Sequence, residues 1–178
     1  VVCHGDSLTL PEQAVVQDRP GLIVIEAEAA SEFEFQPYVG VLKAGRSTKA
    51  TDLVQVYARD NYQYEPQADP EASGGKYIDY CHRADYSFTV TEPGTYTIWV
   101  RHWVPAALGW NYNQQLDAEA PHDFLLQYPA AKVWYWQRGG KFELSAGTHN
   151  FNITNLHNGK RLDKIVFVAD KIAWDQPG

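Results

Sequence analysis

The chain has 178 residues, a formal net charge of -7 and 44% hydrophobic residues, which suits one globular domain with its own core. The negative balance argues against a protein that binds nucleic acid, because such proteins need a basic face. The sequence holds no apolar run of about 18 residues, so it predicts no membrane-spanning helix. Aromatic residues reach 13%, and the absence of Met leads us to expect a mature or excised piece of a longer protein.

The start of the chain is polar and ends in Pro20-Gly21, a turn signal. This composition predicts an N-terminal arm or linker over residues 1–21 and one domain over residues 22–178. Cys3 lies in the arm and Cys81 in the domain, too far apart for a CxxC motif. The two cysteines form one disulfide if the protein is exported, and otherwise they are two separate thiols.

The domain reads as short strands separated by Gly and Pro turns. In the segment after Gly94, Tyr96, Ile98 and Val100 point to one face. Thr97, Trp99 and Arg101 point to the other, as expected for a strand with one buried face. No segment carries an apolar period of about 3.6 residues over three turns. The pattern therefore predicts an all-β fold, a β-sandwich of the jelly-roll type. The predicted strands cover residues 22–29, 53–57, 76–80, 86–90, 95–103, 132–138, 142–144, 149–153 and 162–168.

Two long segments, residues 58–72 and 104–131, lack a regular pattern and carry aromatic residues among amides and acids. Tyr62, Trp110 and Tyr112 are the main examples. A flat ring can stack on the apolar face of a pyranose while neighbouring amides bind its hydroxyls, so these loops predict a sugar site.

Glu26 and Glu28 flank Ala27 in the first predicted strand, which places both carboxylates on one face. Two like charges side by side are costly unless they are exposed or are neutralised by a cation. A hard cation such as Ca²⁺ takes oxygen ligands of this kind, and Asp163 in the last strand can add a third carboxylate. The alternative is a pair of exposed acids on an edge strand.

The order of these segments resembles the carbohydrate-binding modules of families 6 and 35, over roughly residues 22–170. The resemblance rests on the following motifs: Ile25-Glu26-Ala27-Glu28-Ala29, Ser73-Gly74-Gly75-Lys76-Tyr77-Ile78, Phe88-Thr89-Val90, Pro93-Gly94-Thr95-Tyr96-Thr97-Ile98-Trp99-Val100-Arg101, Trp134-Tyr135-Trp136, Phe142-Glu143-Leu144-Ser145-Ala146-Gly147-Thr148-His149 and Gly159-Lys160-Arg161-Leu162-Asp163-Lys164-Ile165.

The resemblance implies a structural Ca²⁺ held by Glu26, Glu28 and Asp163. It also implies a ligand cleft at loops on one end of the sandwich, lined by a Trp/Tyr pair and an amide. The residues that match these positions are Trp103, Trp110 and Tyr112 on the long loop, Tyr38 or Tyr62 opposite them, and Asn155, His157 and Asn158 in the final loop.

The function implied is that of a non-catalytic module that binds a polysaccharide and belongs to a larger, multimodular polysaccharide-active enzyme. Such a module is secreted or displayed at the cell surface, and it raises the local concentration of the attached enzyme on its substrate. Two alternatives stay open. One is a small jelly-roll hydrolase or lyase, with loop acids such as Glu65, Asp117 and Asp123 as its carboxylates. The other is an adhesion domain that binds another protein.

Overall fold

The description of the fold covers residues 7–8, 16–35, 40–43, 53–56, 65–79, 81–106, 111–127, 130–156 and 159–174 of a computed structural model. Regular structure in these ranges is almost entirely strand, with short 3-10 turns at Ala27–Ala29 and Ser73–Gly75. None of these segments is a helix long and apolar enough to cross a membrane.

The strands are β1 (Ser7–Leu8), β2 (Val16–Arg19), β3 (Leu22–Glu26), β4 (Glu32–Phe35), β5 (Gly40–Lys43), β6 (Leu53–Val56), β7 (Gln67–Ala68), β8 (Lys76–Tyr77), β9 (Cys81–Val90), β10 (Gly94–Trp103), β11 (Asn111–Leu116), β12 (His122–Leu125), β13 (Tyr135–Leu144), β14 (Gly147–Leu156) and β15 (Arg161–Ala169).

Two antiparallel sheets form the sandwich. One has six strands in the order β1-β4-β9-β14-β11-β12, and the other has five in the order β13-β10-β15-β3-β2. Two short hairpins, β5-β6 and β7-β8, complete the pairing among the described residues. The predicted all-β sandwich is confirmed. The first strand of the predicted domain, β3, lies beside its last strand, β15. Both ends of the predicted domain therefore meet in the five-stranded sheet.

Strands also occur inside the predicted arm. β1 pairs with β4, and β2 pairs with β3 at the edge of the five-stranded sheet. The division of the chain after residue 21 stays a prediction.

The core lies between the sheets and is rich in aromatic rings. Phe167 on β15 contacts Phe88 and Phe151 of the other sheet, with ring centroids 5.0 and 5.3 Å apart. All three rings are buried, as are Tyr96 and Ile98 on β10. The alternating positions of the sequence therefore do face the core.

The core also encloses polar side chains, among them a histidine. His102 on β10 is almost fully enclosed by Tyr112, Phe124 and Tyr135, with ring centroids 5.4 to 5.8 Å away. Neither ring nitrogen has a hydrogen-bond partner. Burial lowers the pKa of His102 to about 3, so its ring is neutral near pH 7.

Three local expectations are wrong. The predicted strands over residues 132–138 and 142–144 are one continuous strand, β13. The segment read as a long irregular loop holds β11 and β12. The alternation in β11 is hidden because Gln114 faces the core, where its Nε2 donates to the hydroxyl of Tyr112 over 3.1 Å. The predicted strand over residues 22–29 ends at Glu26, and a 3-10 turn carries Glu28.

Candidate functional site

The tryptophans that the structure describes gather on the outer face of the five-stranded sheet. Trp99 and Trp103 alternate along β10 with the inward-facing Val100 and His102. Trp136 on β13 is paired in register with Arg101, so it shares that outer face. Trp174, beyond β15, packs on Trp99 and Trp136, with ring centroids 5.1 and 5.8 Å apart. An outer sheet face covered by rings is unusual for a surface that only meets water.

At one end of this face lies a cluster of three rings and two guanidinium groups. We call Tyr77, Trp103, Trp134, Arg101 and Arg161 the arginine–aromatic cluster. The guanidinium carbon of Arg161 is 4.0 Å from the ring centroid of Trp103 and 4.6 Å from that of Tyr77. The guanidinium carbon of Arg101 is 5.3 Å from the centroid of Trp134, whose ring meets Tyr77 edge-on at 5.9 Å. These contacts are within the range of cation–π attraction.

Strand register explains this assembly. Trp103 and Arg161 are directly opposite each other on β10 and β15, which brings their side chains together on one face. Arg161 is further held by Asp69, whose Oδ2 accepts from Nη1 over 3.1 Å. Trp134 precedes β13 and is only partly exposed, and its indole N–H is buried without a partner. Trp103 and Trp134 are partly exposed and can contact a ligand, whereas Tyr77 is 8% exposed and packs against Trp134.

Next to this cluster three carboxylates converge. Glu26 ends β3, Glu28 lies in the following 3-10 turn, and Asp163 lies on β15. The register of β10 and β15 shifts between Arg101 and His102, which leaves Asp163 without a partner on β10. We call Glu26, Glu28 and Asp163 the carboxylate cluster.

The Ser73–Gly75 turn closes over the carboxylate cluster. The backbone N–H of Ser73 donates to Oδ1 of Asp163 over 2.8 Å, and its hydroxyl is 3.3 Å from Oε1 of Glu26. Gly74 has a φ of 63°, and a Cβ there would lie 2.9 Å from Oε1 of Glu28. Only glycine fits this turn without strain or collision.

Two basic groups neutralise part of this charge. Nη1 of Arg101 donates to Oδ2 of Asp163 over 2.6 Å, and Nζ of Lys164 lies 2.7 Å from Oε1 of Glu26. Burial, with Glu26 and Asp163 nearby, raises the pKa of Glu28 to about 7. Burial also raises the pKa of Asp163 to about 6, although the hydrogen bond from Arg101 opposes this. The negative charge of the cluster is therefore only partly compensated.

The carboxylate cluster fits a cation because two of its oxygen atoms have no hydrogen-bond partner. Oε2 of Glu26 and Oε2 of Glu28 are both buried without a hydrogen bond. Carboxylate oxygens are the ligands that Ca²⁺ prefers, and Gly74 leaves room beside them. No group of three or more His, Cys, Asp or Glu side chains within the described ranges already has the spacing of a metal site.

The structure brings together only part of the predicted ligand set. Trp103 belongs to the arginine–aromatic cluster. Tyr112 is 1% exposed on the inner face of β11, so the prediction that it stacks on a ligand is wrong. Asn155 is exposed near the end of β14, where its Nδ2 donates to Oδ1 of Asn113 over 2.6 Å. The remaining predicted ligand residues lie outside the described part of the chain: Trp110, Tyr38, Tyr62, His157 and Asn158.

Sequence reasoning missed Tyr77, Trp134 and Arg161. All three stand within motifs that carry the family resemblance, and Tyr77 and Trp134 lie in predicted strands, where their rings were not considered as ligand contacts. The signal was available in the run Trp134-Tyr135-Trp136, since successive side chains of a strand face opposite ways. Tyr135 is buried, and both tryptophans lie on the outer side.

Cys81 is a free, buried thiol rather than half of a disulfide. Its Sγ is 2.9 Å from the carbonyl oxygen of Arg83 and 3.7 Å from that of Glu34. Burial raises the pKa of this thiol to about 12, which makes it a poor nucleophile. Cys3, its predicted partner, lies outside the described residues.

A serine, a histidine and an aspartate meet elsewhere, at the turn between β13 and β14. Nδ1 of His149 is 2.7 Å from Oδ2 of Asp117, and Nε2 is 3.5 Å from the hydroxyl of Ser145. However, Nε2 is only 2.9 Å from the carbonyl oxygen of Ser145, an acceptor. With acceptors at both nitrogens, the ring favours the imidazolium form and cannot take the hydroxyl proton. The arrangement ties the turn to Asp117 and does not activate Ser145.

No protein-family profile and no curated protein sequence matches the chain. Solved structures do match. A mannanase from Podospora anserina that contains a family 35 module aligns with a TM-score of 0.54 and 16% identity, over 89% of this chain. The chain spans only 29% of that enzyme.

Isolated modules match as well. The family 35 module from Clostridium thermocellum aligns with a TM-score of 0.51 and 18% identity, over 58% of this chain and 86% of its own. The C-terminal family 6 module of a Zobellia galactanivorans laminarinase aligns with a TM-score of 0.52 and 17% identity, over 83% of this chain and 98% of its own. The chain therefore has the β-sandwich fold of carbohydrate-binding modules of the family 6 and family 35 type, as the motifs of its sequence led us to expect.

Proposed function

We propose that this chain is a non-catalytic module that binds a polysaccharide through the arginine–aromatic cluster and is stabilised by a structural Ca²⁺. The observation that carries the proposal is the grouping of Tyr77, Trp103 and Trp134 with two arginines at one end of the sandwich. Stacking rings with adjacent hydrogen-bond donors recognise a pyranose by its apolar face and its hydroxyl edge together. The sequence prediction that the amide of Asn155 binds the ligand is kept as part of this proposal.

The calcium part of the proposal rests on the carboxylate cluster. Glu26 and Glu28 each hold a buried oxygen without a partner, and Gly74 leaves space beside them. Ca²⁺ would supply the missing positive charge and would fix the Ser73–Gly75 turn against β3 and β15. Because Tyr77 follows this turn by two residues, the ion would also steady one ring of the arginine–aromatic cluster.

The setting that we propose is extracellular, within a larger polysaccharide-active enzyme. It is supported by the mannanase, of which a domain with this fold is one part. A module that holds an enzyme on its substrate acts through effective concentration and needs no catalytic group of its own.

Affinity electrophoresis with calcium tests this function. The probes are soluble galactomannan, laminarin and arabinoxylan, the first two chosen because proteins with this fold include a mannanase and a laminarinase. We expect at least one polysaccharide to retard the wild-type chain, and Trp134→Ala to reduce this affinity about tenfold through lost stacking. Trp134→Phe keeps an apolar ring without the N–H, so an intermediate loss is expected.

Leu125→Ala is the matched control, because Leu125 is an exposed apolar residue (61% exposed) on the other sheet. It should bind like the wild type. Failure of every polysaccharide to retard the chain would overturn the function, and retention of full affinity by Trp134→Ala would overturn the site. Release of reducing sugar by the chain alone would show an enzyme instead of a binding module.

A further inference from the structure

A groove of about 460 Å³ runs along the outer face of the five-stranded sheet, beside the arginine–aromatic cluster. Small-molecule sites in proteins have volumes of roughly 300 to 1,000 Å³. Trp136 and Trp174 form one wall, with their rings nearly perpendicular at 83°. Val24 and Val166, paired in register on β3 and β15, also line the groove.

The groove also has polar groups along its rim. Glu71 and Ser73 contribute from the segment before β8, and Arg101 and Lys164 contribute from β10 and β15. The groove thus combines apolar and aromatic side chains with hydrogen-bonding groups, and Trp136 lies directly beside Arg101. A pyranose offers the same combination, with C–H bonds on its faces and hydroxyls around its edge.

The charges of this rim favour a neutral ligand. Arg101 is paired with Asp163, and Lys164 with Glu26, so neither cation offers a full unpaired charge to an anion. Glu71 is exposed and adds a negative charge of its own. Hydroxyl groups, which both donate and accept, suit such a rim better than carboxylate or sulfate groups do.

The groove and the arginine–aromatic cluster adjoin. Arg101 lines the groove, and its guanidinium group also lies over the ring of Trp134. We propose that the groove binds further sugar units of a neutral polysaccharide whose first units lie on the arginine–aromatic cluster, so that the protein binds an extended stretch of chain. This inference rests on the proposed function, and it assigns a second aromatic surface, Trp136 with Trp174, to the same ligand.

The test combines ¹⁹F NMR of the 5-fluorotryptophan-labelled chain with calorimetry. The probes are disaccharides and hexasaccharides of the mannan, laminarin and xylan series, and single Trp→Phe variants assign the signals. We expect the hexasaccharide that binds to shift the signals of Trp134, Trp136 and Trp174, and its disaccharide to shift that of Trp134 alone. Trp174→Ala should weaken hexasaccharide binding about tenfold and leave disaccharide binding unchanged.

If Trp174→Ala folds poorly, the ¹⁹F signals of the wild-type chain still show whether the hexasaccharide reaches the groove. Leu125→Ala again serves as the control. If the hexasaccharide moves only the signal of Trp134 and binds Trp174→Ala as it binds the wild type, the groove inference is overturned and the proposed function stands. If no saccharide binds or moves any signal, both are overturned. If the signals of Trp136 and Trp174 shift with protein concentration alone, the groove is a contact between copies of the chain and the inference is wrong.

Discussion

The two outer faces of the sandwich are built on the same strand alternation but carry opposite chemistry. The outer face of the six-stranded sheet is polar, and its groups bond to one another. Arg83 pairs with Asp85, which also accepts from the amide of Asn152 on the neighbouring strand. The outer face of the five-stranded sheet instead holds Trp99 and Trp136. A face whose polar groups are hydrogen-bonded is stable in contact with water. An apolar face with a groove is typical of a surface that binds a ligand.

The carboxylates of the two sheets also differ in how well water solvates them. Glu32 and Glu34 follow the polar side of β4, where water can solvate them. Glu26, Glu28 and Asp163 are drawn together beside the tryptophans, and burial raises the pKa of the last two. The same residue type is therefore solvated on one side and concentrated into a candidate ion site on the other.

The largest change that we expect is a loss of folding stability at acidic pH, caused by the buried histidine of the five-stranded sheet. His102, in the five-stranded sheet, has a pKa lowered to about 3 by burial, below the ordinary value near 6.5. The unfolded chain therefore takes up this proton first as the pH falls. Stability should decrease from about pH 6.5 downwards, by on the order of 3 kcal/mol at about pH 4.

Urea unfolding across this pH range measures the effect, with His102→Leu as the variant that removes the titrating group. The variant should lose most of the slope between about pH 6.5 and 4. An unchanged slope in His102→Leu would show that other groups carry the acid sensitivity.

Calcium should give the next largest effect. An ion that binds only the folded chain adds about 2.7 kcal/mol at a free concentration one hundredfold above Kd. Thermal unfolding with CaCl₂ and with EDTA measures the shift. Glu28→Gln should abolish it, and Glu32→Gln, on the polar side, should keep it. Identical melting curves with calcium and with EDTA would contradict the assignment of Glu26, Glu28 and Asp163.

Trp99→Ala tests whether the outer face of the five-stranded sheet is an apolar layer that stabilises the fold. Trp99 is partly buried under Trp174, so its loss should cost about 2 kcal/mol of unfolding free energy. Ser87→Ala, an exposed position on the other outer face, should change it by less than about 0.5 kcal/mol. Equal values from denaturant unfolding would remove the contrast between the faces.

The smallest effect concerns His149 in the six-stranded sheet, and its sign is opposite to that of His102. Burial alone would lower the pKa of His149, but its bonds to Asp117 and to the carbonyl of Ser145 raise it overall. This stabilisation is complete below about pH 6.5 and is lost as the pH rises through the raised pKa. Asp117 is 40% exposed, so solvent screening limits the gain to about 1 kcal/mol.

Asp117→Asn isolates this pair. The stability advantage of the wild type over the variant should be larger at about pH 5.5 than at about pH 8.5, as read from urea midpoints. An advantage that grows with pH would mean that the neutral imidazole, not the imidazolium, is the form held in the fold.

Much of the fold was predictable because apolar residues recur at alternate positions along most of β9, β10 and β14. Where a polar residue enters the core the pattern fails, as in β11, where Gln114 hides a strand. Of the site, Trp103 and the three carboxylates were found from motifs, and the structure does bring Glu26, Glu28 and Asp163 together. Tyr77 and Trp134 were missed because each lies in a short motif whose partners are distant in sequence.

By itself the sequence determined the all-β class, the inward and outward positions along most strands, and the wealth of aromatic residues. These follow from local period and composition, which need no knowledge of neighbours. Which rings belong to the core and which form a surface became clear from the three-dimensional structure. Tyr112 went inside, while Trp103, Trp134 and Trp136 met on one outer face, because strand order and register, not sequence distance, determine which side chains become neighbours.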